Sequence, residues 1–211
     1  MKWKLPPARQ FGWKMKTLES AKTRFAVSER NVYELDIEHA PIKGVTPRML
    51  LWWFEHIGGT MQYQGKEYPR YHVWHPVDHI HWALARQSPR GDAGQGASFR
   101  IVEAFGGDLS QLVDSTEYVE KLNETGIRLV RRIAGAEVFS LQHDFHASGS
   151  DTIYVSHMRV GTDMLPHRWL FNYLVRPRLF TYAMGSAWLR HNIEEVGNFE
   201  FFLPALYAEY H

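Results

Sequence analysis

A chain of 211 residues, 45% hydrophobic and 14% aromatic, has enough apolar material for one domain with a substantial core and an apolar cavity lining. Its formal net charge is only +1 and the charges are interspersed, which disfavours a nucleic acid or other polyanion as partner. With no cysteine, disulfides, zinc–thiolate sites and thiol nucleophiles are excluded, so any metal must be held by His and carboxylate.

The chain opens on MKWKLPPARQFGWKMK, cationic but without the apolar stretch of a signal peptide. The run MLLWWF is too short to span a bilayer. A soluble, cytoplasmic protein with no membrane partner is expected. Residues 1–20 read as a loosely ordered N-terminal arm, and 21–211 as a single domain. The arm's Trp3, Phe11 and Trp13 suit a homodimer contact or a disordered segment equally.

The first clear strand is NVYELDIEH, where Tyr33, Leu35 and Ile37 alternate with Glu34, Asp36 and Glu38. Thr46-Pro47 reads as an N-cap followed by proline at the first helical position, opening the helix RMLLWWFEH. Gly58-Gly59 ends it. Strand character follows over 71–85, 98–105, 127–134, 137–146 and 152–160, with turn-like joins such as AGAE and HASGSD. The intervening SQLVDSTEYVEKLNETG reads as a short helix or an irregular connection. From Leu165 the pattern is helical almost to the end, with Pro177 as a start or a kink. This order predicts an α+β fold of the helix-grip kind, a curved antiparallel sheet around a long C-terminal helix with an internal cavity. An α+β sandwich without a cavity satisfies the pattern nearly as well.

Strands alternate faces and helices return to one face every fourth residue, so polar groups in the apolar register stand out. Glu103 is the polar member of the face Phe99, Ile101, Glu103, Phe105. A carboxylate there costs several kcal/mol, on the order given by desolvation, unless it is paired or binds a metal. In FSLQHDF, His143 falls inward with Phe139, Leu141 and Phe145, whereas His146 falls outward. In the 71–85 segment Tyr71, His75, His79 and His81 share a face only if Pro76 leaves the register intact. On the last helix His191 and Glu195 lie one turn apart, with Ala187 and Ala183 leaving room in front of them. Glu194 lies about a hundred degrees away and is free to face outward. Ordinary alternatives exist for each: a core histidine, a Glu paired with Arg100, Arg128, Arg131, Arg132 or Arg159, a helix-stabilising His–Glu pair. Two histidines and two carboxylates converging from a sheet and the helix it faces make an N2O2 donor set, which suits zinc first, with manganese or iron(II) as alternatives.

The segments GVTPRMLLWWF, YHVWHPVDH and GSAWLRHNIEEVGNFEFFLPALY resemble the diacetylphloroglucinol hydrolase family, which includes phloretin hydrolase. The similarity runs with gaps from about Glu34 to the C-terminus, and HNIEEVGNFEFFLP is its most specific block. The resemblance implies a helix-grip (Bet v 1-like) protein with zinc bound by two His and two Glu. It also implies hydrolysis of the carbon–carbon bond between an acyl group and a phenolic ring. The family's helical His and Glu ligands fall on His191 and Glu195, the strand His that closes the WHPxDH stretch on His79, and the remaining Glu on Glu103. Its substrate-contacting Tyr matches Tyr71, with a further Tyr and His on Tyr154 and His143; His146 and His157 are rivals for the last role. A substrate-binding Asn of the family is replaced by Trp82, which implies a different ring substitution pattern. The expected partner is a small aromatic ketone. The competing expectations are a non-catalytic helix-grip binding protein for an apolar aromatic ligand, and a metal-free polyketide aromatase/cyclase.

Overall fold

Eight strands form one antiparallel sheet, and a 27-residue C-terminal helix lies across its concave face. The computed structural model describes residues 3–211; Met1 and Lys2, at the start of the expected arm, lie outside them. In chain order the elements are β1 (Lys22–Val27), β2 (Tyr33–Glu38), α1 (Pro47–His56), β3 (Thr60–Tyr63), β4 (Lys66–Pro69), α2 (Arg70–Trp74), β5 (His79–Arg86), β6 (Ser98–Ala104), β7 (Leu112–Asn123), β8 (Gly126–Ile133), β9 (Ala136–Ser148) and β10 (Asp151–Val160). There follow α3 (His167–Leu170), a π-helical turn (Phe171–Val175), α4 (Arg176–Leu179) and α5 (Tyr182–Ala208). The large sheet runs β1-β2-β10-β9-β8-β7-β6-β5, and β3-β4 form a separate hairpin. This is the helix-grip arrangement.

Local chemistry accounts for the elements that the pattern located. Thr46 caps α1 by accepting from the Met49 N–H at 3.4 Å with Pro47 behind it, and Thr181 caps α5 by accepting from the Met184 N–H at 3.1 Å. Tyr33, Leu35 and Ile37 of β2 are buried and face Trp188 and Ile193 of α5 across one half of the core. Trp53 and Phe54 of α1 close the other half against Phe199, Phe202 and Leu203. Among the described residues no helix is long and apolar enough to cross a membrane.

Four segments differ from expectation, each for a physical reason. Residues 71–78 are not strand: Arg70–Trp74 is helical, and the strand begins only at His79. Pro69 opens this short helix and Pro76, lacking an N–H, interrupts any ladder, so the face count across Pro76 does not hold. The segment SQLVDSTEYVEKLNETG is neither a short helix nor an irregular connection but contains β7, the 12-residue strand Leu112–Asn123. There Asp114, Thr116 and Tyr118 are exposed while Val113, Ser115, Glu117 and Val119 point inward. Two polar residues among the inward four conceal the alternation. The edge strand β1 is largely exposed and polar, and the pattern shows it only through its pairing with β2. The β3–β4 hairpin turns on Gln64 (φ 49°) and Gly65 (φ 77°), the doubly left-handed turn that matches strand twist.

Residues 3–17 have no regular secondary structure but lie against the domain. Phe11 is buried, Trp13 stacks on Phe201 at 5.0 Å and the Trp3 indole N–H donates to Asp114 at 2.8 Å. The aromatics expected to be available for a partner therefore pack on this chain.

Candidate metal centre

The sheet and α5 bring four ionisable side chains to one point. His79 opens β5, and Glu103 near the end of β6 is its direct cross-strand partner. His191 and Glu195 stand one turn apart on α5 and face them. His79 Nε2 lies 3.4 Å from Glu103 Oε1 and 3.3 Å from Glu195 Oε2. His191 Nε2 lies 3.5 Å from Glu103 Oε2 and 3.6 Å from Glu195 Oε2. One donor atom from each of the four falls within 4.8 Å of the others. Both Nε2 atoms are buried and have no hydrogen-bond partner.

Each ligand candidate is oriented by a further group. The His79 ring N–H at Nδ1 donates to the Tyr71 carbonyl at 2.7 Å, which turns the Nε2 lone pair to the centre. His191 Nδ1–H donates to Asp78 Oδ2 at 2.9 Å, and Asp78 in turn accepts the Gly106 and Gly107 backbone N–H groups at 3.0 and 2.9 Å. The Tyr71 hydroxyl donates to Glu103 in a short hydrogen bond. The Asn192 amide donates to Glu195 Oε1 at 2.6 Å. A second cluster of His75, Asp78 and His191 sits behind the first, but its Asp78 oxygens are already engaged in these hydrogen bonds, so it supports the centre.

The electrostatics are unresolved by the protein alone. Burial pushes the Glu195 carboxyl up to about 8, aided by Glu103, while His191 pulls it back. Burial opposes charge on the His191 ring, yet Glu195, Glu103 and Asp78 together lift it to about 10. Burial holds His79 well below the usual imidazole range, and the neighbouring His191 and His75 lower it further. The centre thus gathers two buried carboxyl groups and two imidazoles whose Nε2 atoms are unused in any hydrogen bond. A divalent cation fits this set of two imidazole nitrogens and two carboxylates. Asp78 remains ionised, because the His191 hydrogen bond and the charges of His191 and His75 outweigh burial and bring it to about 2. Asp78→Ala should therefore weaken metal binding about 10–100-fold, measured by competition with a chromogenic chelator; unchanged affinity would show that Asp78 does not orient His191.

The other expected residues fall as follows. Tyr71 comes from the short helix α2; it is buried, stacks on His79 at 3.8 Å and lines the cavity. Trp82 lines the cavity as well and packs so close to the turn after α1 that a Cβ on Gly58 would come within 2.3 Å of its ring. His143 is buried in the cavity wall, with Nδ1 2.8 Å from the Ser156 hydroxyl. Tyr154 is fully buried beside His143, ring centroids 5.1 Å apart, its hydroxyl without a partner; it lies behind the lining residues. His146 is exposed, and His157 pairs with Asp36 at 2.8 Å on the outer sheet face, so neither reaches the cavity. Among the described residues no arginine pairs with Glu103: Arg100, for example, is bound to Asp114 at 2.9 Å. Glu194, free to face outward by the helical count, is buried and joins His75 at 3.2 Å and Arg190 at 2.9 Å.

Sequence reasoning missed Asp78, Asn192, Ser156 and His39, the last of which shares the Ser156 hydroxyl at 2.8 Å. Asp78 was visible as the acidic residue next to His79, and Asn192 as a polar residue beside His191 on a mostly apolar helix.

The family model of the DAPG hydrolase PhiG domain matches residues 38–208. No curated protein matches the chain in sequence. Among solved structures it is similar to KanY, with 10% identity over 86% of this chain and 98% of that one at a TM-score of 0.49. It is similar also to major latex-like protein 151 from Panax ginseng (11% identity, 72% and 97% covered, TM-score 0.43). A third is Ara h 8.0201 (12% identity, 77% and 97% covered, TM-score 0.40).

Proposed function

The chain belongs to the DAPG hydrolase family, and from that membership we propose that it hydrolyses the carbon–carbon bond joining an acyl group to a polyhydroxylated aromatic ring. We assign the metal-binding role to His79, Glu103, His191 and Glu195. The observation that carries this reading is the pair of buried, partnerless Nε2 atoms of His79 and His191 among two carboxylates on the wall of an apolar cavity. A divalent cation held there, zinc in the first instance, would polarise the acyl oxygen and lower the pKa of a water towards ~7.

The chain's own residues supply the rest. Burial and Glu103 keep the Tyr71 phenol protonated far above neutrality; its one proton goes to Glu103, and its oxygen is left to accept from a hydroxyl of the substrate. Burial holds the His143 ring down to about 3, so at neutral pH it is uncharged. With Nδ1 committed to Ser156, its Nε2 is left to hydrogen-bond a phenolic hydroxyl of the substrate and hold it in place. Tyr154 packs its ring against His143 and limits how that ring can turn. In the net reaction hydroxyl adds to the acyl carbon, the electron pair of the broken bond stays on the ring carbon, and a proton arrives there. The products are a carboxylic acid and the deacylated phenol. The ring carbon is a tolerable leaving group only if the ring first takes a keto form, so hydroxyls ortho to the acyl group are required. Trp82 on the wall favours an apolar edge on the ring.

Incubating the protein with a 2-acylphloroglucinol should remove the aryl-ketone ultraviolet band and release phloroglucinol and carboxylic acid in equal amounts. Binding without cleavage, and without metal, would leave the ligand-carrier or aromatase/cyclase reading in its place.

A further inference from the structure

A third inward carboxylate lies apart from the metal centre. Glu117 of β7 is 3% exposed and lines the same cavity as Glu103 and Glu195. Its Oε2 has no hydrogen-bond partner, and among the described residues it forms no ion pair within bonding reach. The contrast with the other face of the sheet is informative. There Glu120 and Glu137 are paired with Arg128 and Arg132, and Asp114 with Arg100 at 2.9 Å. The fold satisfies its outer carboxylates and leaves this inner one open.

Register places it. Glu103 pairs with Val113, and Phe99 pairs with Glu117, so Glu117 is one strand over and four residues along from the metal centre, roughly 13 Å at strand rise. The wall between is mainly apolar, with Phe99 and Ile101 of β6 and Leu129 of β8. Arg131, one position beyond the Tyr118↔Val130 pair of β7 and β8, also lines the cavity, and it is solvent-exposed. It stands at the level of Glu117 and on the side of the mouth. Burial raises the Glu117 carboxyl, opposed by Ser115 and Arg131, as befits a group awaiting a partner.

We propose that Glu117, flanked by Arg131, is a specificity subsite for a hydrogen-bond donor at the end of the substrate distal to the scissile bond, so that the preferred ligand is an acylphenol whose acyl arm carries a hydroxyl about 13 Å from the reacting carbonyl. A buried carboxylate with a vacant acceptor oxygen rewards a hydroxyl and penalises the alkyl analogue that would leave it unpartnered. This deepens the proposed function and rests on its reading of the cavity as the acylphenol site.

The test is calorimetric binding of ω-hydroxyacyl phloroglucinols and plain acyl phloroglucinols of matched chain length. At one chain length the hydroxylated member should bind about 10–100-fold more tightly to the wild-type protein. Glu117→Leu should bring that ratio to about 1, and Glu117→Gln should keep part of it. Since Glu117→Leu removes an unpaired buried carboxylate, it should fold at least as well as the parent. No preference at any length, or a preference that survives Glu117→Leu, overturns the subsite. Preference without cleavage retains the subsite and removes the hydrolase reading; cleavage without preference does the reverse. Failure of both series to bind overturns both.

Discussion

Glu195→Ala is expected to lose its metal and its turnover together while still folding. Metal analysis should fall from about one ion per chain to below roughly a tenth, because three remaining donors hold a divalent ion far less tightly than four. Hydrolysis of a 2-acylphloroglucinol should fall to background. In the metal-free protein burial raises the Glu195 carboxyl to about 8, with His191 pulling it down and Glu103 pushing it up, so its removal relieves a desolvation penalty. The variant should match or exceed the chelated parent in thermal midpoint. His191→Ala should behave differently. It also removes metal and turnover, but it leaves Asp78, Glu103 and Glu195 without the imidazolium that balances them. That uncompensated buried charge should cost about 3–5 kcal/mol. The parent with metal should gain about 4 kcal/mol over its chelated form at a thousandfold excess over Kd. Normal turnover by either variant, or by chelated protein, would sink the metal-centre reading.

The second large effect is acid lability. His39 and His143 are buried on either side of the Ser156 hydroxyl. Burial holds each down to about 3, and the proximity of His143 lowers His39 further. In the unfolded chain both titrate near 6.5. Below pH 6.5 the unfolded state therefore binds more protons than the folded state, and stability falls with pH. The contribution is complete above 6.5 and is lost progressively on descent towards about 3. Two such rings give a slope approaching ~2.7 kcal/mol per pH unit in the middle of that window. Urea midpoints of chelated protein between pH 6.5 and 4.5 should show this steepness. His143→Gln should flatten part of this dependence and the His39→Gln/His143→Gln pair more of it, leaving the share that the buried His79 contributes in chelated protein. Parent and double variant with superimposable profiles would mean that these rings are not held neutral.

Both effects depend on groups that sequence periodicity reveals unevenly. Alternation in β6 and β9 put Glu103 and His143 on the inward face, and the helical repeat put His191 and Glu195 on one side of α5. These are statements about one element at a time, and the structure places all four inward. His79 could not be read that way, because Pro76 breaks the count; the WHPVDH stretch pointed to it through family resemblance. In β7 the inward Ser115 and Glu117 hid the strand that the structure contains, so the same residue that marks the distal subsite obscured the element carrying it.

What the sequence determined by itself was the place of β2, α1, β6, β8 to β10 and the long last helix, the apolar faces of these elements, and which polar residues interrupt them. These follow from backbone geometry with periods of two and 3.6 residues, acting over neighbours in the chain. What only the tertiary structure decided was which interruptions meet. Asp78 reaches His191 across 113 positions, and Asn198 reaches the Trp74 carbonyl across 124. Such pairings depend on strand order, on the register β5 takes against β6 after Pro76, and on how α5 is rotated over the sheet. Those quantities are set by the packing of the whole core, which no local repeat encodes.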